Sequence, residues 1–272
     1  MQKLKKVLFT VAFTAALCLL LVSGFEIFRI LSDRYESQSA NEAINNLAVL
    51  KTEKNDLVPE NTESEKAPDA SVQPDEEESP LETLPVTIDF DYLLDQNEDV
   101  AGWIYCEDTP ISYPFLQSND NSYYLYRLLD GTENPSGSLF LDFRNQFNMS
   151  DWNSIIYGHN MHDGSMFACL KEYKKQEYYD AHPTMYLMTP EKSYRVELIA
   201  GIFGKADSTF YDFPVLEEDR EEVVQGWLEQ STFQTNAEIL TEDRFVTLST
   251  CTYEFDSARY VVIGALREVK TE

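Results

Sequence analysis

Apolar and polar positions change their period several times along this chain, and each change marks an element. Val7 to Phe25 is a run of nineteen uncharged, largely apolar residues led by Lys3, Lys5 and Lys6. As a helix this run rises about 28 Å, the thickness of a hydrocarbon core. Residues 26–52 keep a helical period, with Phe28, Leu31 and Tyr35, then Ile44, Leu47 and Leu50, at spacings of three and four. The period is then lost. Residues 53–84 hold eleven acidic residues, four prolines and only two lysines. So little apolar surface cannot offset the entropy of ordering, which predicts a disordered, self-repelling leash.

From near Val86 the pattern turns into short β-branched and aromatic runs. Val100–Tyr105, Ile111–Leu116, Ser138–Leu141, Ser154–Tyr157, Met185–Met188 and Tyr194–Ala200 read as strands, as do Phe245–Leu248 and Tyr260–Ile263. About eight short strands with turns every eight to twelve residues predict a mainly β fold closed into a barrel. Ile88–Leu94 suggests a short helix and Leu216–Leu228 an amphipathic one, and no internal repeat is visible. The expected organisation is a basic tail (1–6), a membrane anchor (7–25), a helical segment (26–52), an acidic linker (53–84) and one globular domain (85–272).

Charge and cysteine content narrow the function. The 272 residues carry 48 acidic and 21 basic side chains, a formal charge of −27 that repels phosphates and excludes a nucleic-acid partner. Four cysteines without a CxxC pair or metal spacing indicate neither a zinc site nor a disulfide framework, and nothing points to a cofactor. Cys18 lies inside the apolar run as a passive residue. Cys106 and Cys169 read as inert thiols, with a bridge between them outside the cell the open alternative. Lysines ahead of the apolar run place the N-terminus in the cytoplasm and export the rest. A cleaved signal peptide is the rival, because Val22-Ser23-Gly24 offers small residues, but the run is longer than a typical signal core.

The stretch Val246-Thr-Leu-Ser-Thr-Cys251-Thr-Tyr-Glu-Phe-Asp-Ser-Ala-Arg259-Tyr-Val-Val-Ile263 carries the chemistry. Two antiparallel strands joined through the polar turn Glu254–Ser257 place Cys251 at one strand end opposite Arg259 at the start of the next. A thiol facing a guanidinium can serve as nucleophile and oxyanion clamp. A buried cysteine beside a surface arginine is the plain alternative. Far upstream, Ile155-Ile156-Tyr157-Gly158-His159 ends a strand at a loop mouth, where an imidazole can reach a neighbouring strand end and protonate a departing amine.

Taken together, "YGHNMHDGSMF" and "TLSTCTYEFDSARYVV" resemble the sortases, cysteine transpeptidases of Gram-positive surfaces, and class B sortases in particular. The resemblance spans residues 88 to 268, including "DVAGWIYCEDTPISYPFLQSNDNSYYLYRLLDG" and "GSLFLDFRN". It implies a closed eight-stranded sortase-type barrel with an extra helix before the cysteine strand, where Leu216–Leu228 falls. It also implies Cys251, His159 and Arg259 as the catalytic set. In this reading Cys251 cleaves the C-terminal sorting signal of a surface protein after its threonine, forming a thioester. An amine on a peptidoglycan precursor, or a pilin lysine, then resolves it.

Substrate contacts implied by the resemblance are Asn121 and Leu125 in "DNSYYLYR", Tyr157 two residues before the histidine and Ser249 two before the cysteine. Ordinary packing is the alternative for Leu125 and Tyr157. Where some class B members carry an acidic residue after the cysteine, this chain has Thr252 and Tyr253, so no helper carboxylate is assigned there. His162 and His182 have no catalytic match and read as surface residues. Two other functional classes stay open: an exported wall hydrolase, in which water resolves the thioester, and a catalytically silent binding module. The order His, Cys, Arg disfavours the first and the filled catalytic positions the second.

Overall fold

A computed structural model describes residues 2–51, 83–205, 208, 211, 215–251 and 258–270. The predicted leash, apart from Thr83 and Leu84, lies outside the described residues, as do the turn Glu254–Ser257 and the pair Thr252 and Tyr253. Eight strands close into a barrel in the order β10-β8-β7-β3-β4-β5-β6-β9. They are β3 (Val100–Tyr105), β4 (Ser112–Leu116), β5 (Leu139–Leu141), β6 (Asn153–Gly158), β7 (Thr184–Met188), β8 (Ser193–Lys205), β9 (Arg244–Cys251) and β10 (Ala258–Val269). Two shorter strands, β1 (Val49–Lys51) and β2 (Val86–Ile88), pair outside the barrel.

Period-two alternation divides the side chains of each barrel strand between two faces. Ile156, Val246, Leu248, Tyr260 and Val262 fill the interior with Phe115, Phe167 and Leu187. Their neighbours Ile155, Phe245, Val261 and Ile263 point outward and are covered by the helix α4 (Arg220–Gln230) through Val224 and Trp227. Trp227 stacks on Trp152 with ring centroids 5.4 Å apart, and both rings meet Phe245 edge-on. The predicted helix before the cysteine strand therefore exists, and its buried face explains its amphipathic period.

The N-terminal helix departs from the segmentation expected above. α1 runs unbroken from Gln2 to Ala48, 47 residues and about 70 Å long, so the anchor run and the segment after it form one rod. Residues 49–51, expected to continue the helix, instead form β1, which pairs with β2. Ile88 correspondingly ends that strand, and the predicted short helix begins at Phe90 as α2 (Phe90–Gln96), capped by the Asp89 carboxylate accepting from the Tyr92 N–H. The first half of α1 exposes its large apolar side chains, and the helix is long and apolar enough to cross a membrane.

Its second half docks on the barrel. Ala48 is fully buried with Val86, Leu93 and Trp103. Asn45 and Ser112 exchange two hydrogen bonds, of 3.0 and 2.6 Å, and Asn134 donates to the Asp33 carbonyl at 2.8 Å. A chain beginning at Leu84 is therefore expected to fold but to melt about 5 °C below one beginning at Ile30, an effect of roughly 2 kcal/mol. Equal melting temperatures would show that these contacts contribute nothing to stability.

Candidate active site

Three strand ends converge at one rim of the barrel. In the β9–β10 ladder Arg259 is the direct partner of Cys251. Side chains directly opposite in an antiparallel pair share a face and start about 5 Å apart at Cβ. The β6–β9 pair is parallel and matches Tyr157 to Ser249 and Gly158 to Thr250. One residue further, His159 leaves β6 beside Cys251. Counted in twos, 155-157-159, 245-247-249-251 and 259-261-263 all lie on the outer face, so alternation sends the thiol, imidazole and guanidinium to the same side of the sheet.

Gly158 makes that strand end possible. A Cβ there would collide with the side chains of Leu139 and Phe167, which close over the backbone just before His159. The His159 carbonyl in turn accepts from the Phe167 N–H at 3.1 Å, turning the chain back after the histidine.

The three side chains line one cleft of about 240 Å³. All four expected substrate residues, Asn121, Leu125, Tyr157 and Ser249, line it too. Cys251 is half-exposed there. The other thiols of the folded domain stand apart from it: Cys106 is buried and Cys169 half-buried, and neither is bonded to another cysteine. Burial pushes the Cys169 thiol up to about 12 and raises that of Cys106, so neither readily supplies a thiolate near neutral pH. His162 is exposed outside the cleft. His182, expected at the surface, is half-buried behind α3 (Gln176–Ala181), its ring 4.7 Å from that of Tyr178 and its carbonyl accepting from the Tyr173 hydroxyl.

A catalytic imidazole needs a third group to hold it. Here the Leu125 carbonyl lies 2.8 Å from His159 Nε2. A carbonyl oxygen only accepts, so Nε2 carries the proton in this bond and Nδ1 is the other nitrogen available for exchange. Leu125 thus contributes its backbone as well as its side chain. Gly137 lies directly beneath it, at φ 56°, where a Cβ would collide with the carbonyls of Tyr124 and Leu125. Gly137→Ala is expected to cost about 1–2 kcal/mol from backbone conformation alone, and to lower turnover about tenfold by moving the oxygen that orients His159. Parental turnover in a folded G137A protein would remove this orienting role; thermal melts with steady-state rates make the comparison.

The expected substrate residues are tied down from behind. Tyr157 donates its hydroxyl to Asp142 Oδ2 at 2.9 Å and packs between the rings of Phe140 and Tyr211. Burial and then the Asp142 charge raise the pKa of that hydroxyl. Ser249 lines the cleft with little exposed surface, and its hydroxyl is bonded to that of Tyr211 at 2.6 Å. Burial pushes the Tyr211 hydroxyl up to about 12, so it is neutral at physiological pH. Tyr211 lines the cleft but was not expected from sequence, since "STFYDFP" shows neither strand nor motif. Arg259 donates to its neighbour's carbonyl, Ala258, at 3.1 Å and lines the cleft.

A thiol, an oriented imidazole and a guanidinium at one rim of a closed eight-stranded barrel define a cysteine acyl-transfer enzyme. A family model described as "Sortase domain" matches residues 107–267, and the chain belongs to the sortase family of cysteine transpeptidases. Its relatives make it a class B sortase. "Sortase B" of Listeria monocytogenes is 39% identical over 175 residues, covering 62% of this chain and 70% of that protein. The crystal structure of sortase B from B. anthracis in complex with AAEK1 superposes with a TM-score of 0.67 at 30% identity, over 88% of this chain and all of that one. The Staphylococcus aureus sortase B–substrate complex gives 0.63 at 27% identity, over 66% of this chain and 85% of that one.

Proposed function

We propose that this sortase is anchored in the membrane by α1, its N-terminus cytoplasmic and its barrel outside the cell. There it cleaves the C-terminal sorting signal of surface proteins after threonine and transfers the acyl group to an amine. The observation that carries the reading is the strand register: Cys251 pairs with Arg259, and His159 follows the Gly158–Thr250 pair, at one cleft.

Chemically, the Cys251 thiolate attacks the threonine carbonyl carbon. The resulting oxyanion is held by Arg259, whose fork of N–H donors suits a developing negative oxygen. Collapse of the tetrahedral species breaks the peptide bond, and His159 gives its proton to the departing amine. The thioester then meets an acceptor amine, a peptidoglycan-precursor amine or a pilin lysine. His159 takes the proton that amine loses, and Cys251 is released as thiolate. That a relative of the same fold, S. aureus sortase B, forms a complex with its substrate supports a substrate site on this barrel.

The test is a threonine-containing peptide library presented with and without a triglycine acceptor, with products identified by mass. Amine-dependent ligation supports the proposal. Hydrolysis indifferent to the amine would make the chain a wall hydrolase, and no thioester at all would make it a binding module.

A further inference from the structure

Behind the cleft stands a carboxylate to which the transfer chemistry gives no task. Asp142 is fully buried, just past the end of β5, with its backbone N–H bonded to the Ile155 carbonyl at 2.8 Å. Its two oxygens take five hydrogen bonds. Oδ1 accepts from the Arg144 N–H and Nε, each at 2.9 Å. Oδ2 accepts from the second guanidinium nitrogen of Arg144 at 2.9 Å, from Asn121 Nδ2 at 3.0 Å and from the Tyr157 hydroxyl at 2.9 Å. Burial works against the charge, but the bonds from Arg144, Tyr157 and Asn121 outweigh it and hold the carboxyl below the usual carboxylate range. It is therefore ionised at neutral pH and can only accept.

That restriction propagates to the cleft. A carboxylate that only accepts forces Asn121 to face it with its NH₂ group and Tyr157 to spend its single proton on it. The opposite end of the Asn121 amide is also taken, since Oδ1 accepts from the Phe143 N–H at 3.0 Å. Among the described residues the second N–H of this amide has no protein partner, and Asn121 lines the cleft.

We propose that Asp142 is the positioning residue that fixes the hydrogen-bond polarity of the peptide-binding wall. It makes Asn121 present a donor, and so selects a carbonyl or side-chain amide oxygen of the sorting peptide. The inference rests on the transpeptidase reading of the same cleft. A neutral amide at 142 can donate as well as accept, so only the Phe143 N–H would still hold the Asn121 amide in this orientation, and the Tyr157 proton would be freed.

The experiment compares the parent, Asp142→Asn and the double variant Asn121→Asp/Asp142→Asn for peptide KM and kcat, melting temperature, and alkylation of Cys251 by iodoacetamide. Asp142→Asn is expected to raise KM about tenfold, the scale of one lost hydrogen bond. Its kcat should stay within about threefold, and the alkylation rate should be unchanged. The double variant swaps carboxylate and amide. It should melt nearer the parent than D142N does, yet keep the raised KM because an acceptor now faces the peptide. A folded variant of either kind with parental KM would overturn the proposal. In a Cys251→Ala background, one Asn121 side-chain amide proton should shift on adding peptide while its geminal partner does not; no shift, or equal shifts, would also overturn it. If the parent itself gives no amine-dependent product, the transpeptidase reading falls; if it does and these variants keep their KM, only the role of Asp142 falls.

Discussion

Cys251→Ala is expected to leave a folded barrel that forms no covalent acyl-enzyme, the largest effect of any single change in this chain. Among the described residues Cys251 is the thiol that lines the cleft, and the two other thiols of the folded domain are removed from it by burial and raised pKa. His159→Ala should keep the fold, because a half-buried side chain at a loop mouth carries little of the core, and should cut turnover on the order of 10²–10⁴, the range for loss of a general acid–base. His162→Ala should stay within about twofold of the parent, since that side chain is exposed outside the cleft. Intact-protein mass spectrometry after peptide addition reads the acyl-enzyme, and steady-state rates read the histidines. A damaging H162A with a mild H159A would mean that the wrong histidine has been assigned.

Arg259→Lys separates two tasks that a positive charge beside Cys251 can perform. If the charge only favoured the thiolate, lysine would substitute. If directed hydrogen bonds to the oxyanion matter, the planar fork is needed and a single ammonium cannot reproduce it. Loss of one oxyanion donor costs on the order of 10²–10³ in turnover, about 2.7–4 kcal/mol. The register pairs Arg259 with Cys251 and leaves both tasks open to the guanidinium, so the substitution decides between them. R259K is expected to lose at least about a hundredfold, to melt like the parent, and to gain nothing from alkaline pH. Rescue by alkali, or a rate within a few-fold of the parent, would reassign Arg259 to thiolate tuning.

Much of the catalytic rim was legible because strand periodicity is a local signal. Cys251, Arg259 and His159 each end or begin a run of alternating apolar residues, so their common face follows from counting in twos. Which strands neighbour one another is a different matter. The β6–β9 pairing joins distant runs in parallel, and only the fold shows it. The remaining parts of the site left no pattern to find. The Leu125 carbonyl that holds His159 belongs to the backbone and has no residue signature. Asp142 and Arg144, two residues apart in "LDFRN", look like an ordinary charged turn until Asn121 and Tyr157 are brought to them across the sheet. The docking of α1 was hidden for the same reason: Asn45 and Ala48 are unremarkable in a helix, and their partners lie more than thirty residues further along the chain.

The parallel seam between β6 and β9 also bears on how the enzyme comes into being. Thr250 donates to the Gly158 carbonyl across a sequence separation of 92, whereas β10 begins only seven positions after β9 ends. Contacts so distant in sequence must pay for loop closure before they return any energy, and they form late relative to hairpins. During folding the β9–β10 pair can assemble early with its thiol beside Arg259 but without a base. His159 joins only when the cylinder shuts, so the acyl-transfer centre matures with the last long-range pairing and a half-folded chain carries an unassisted thiol.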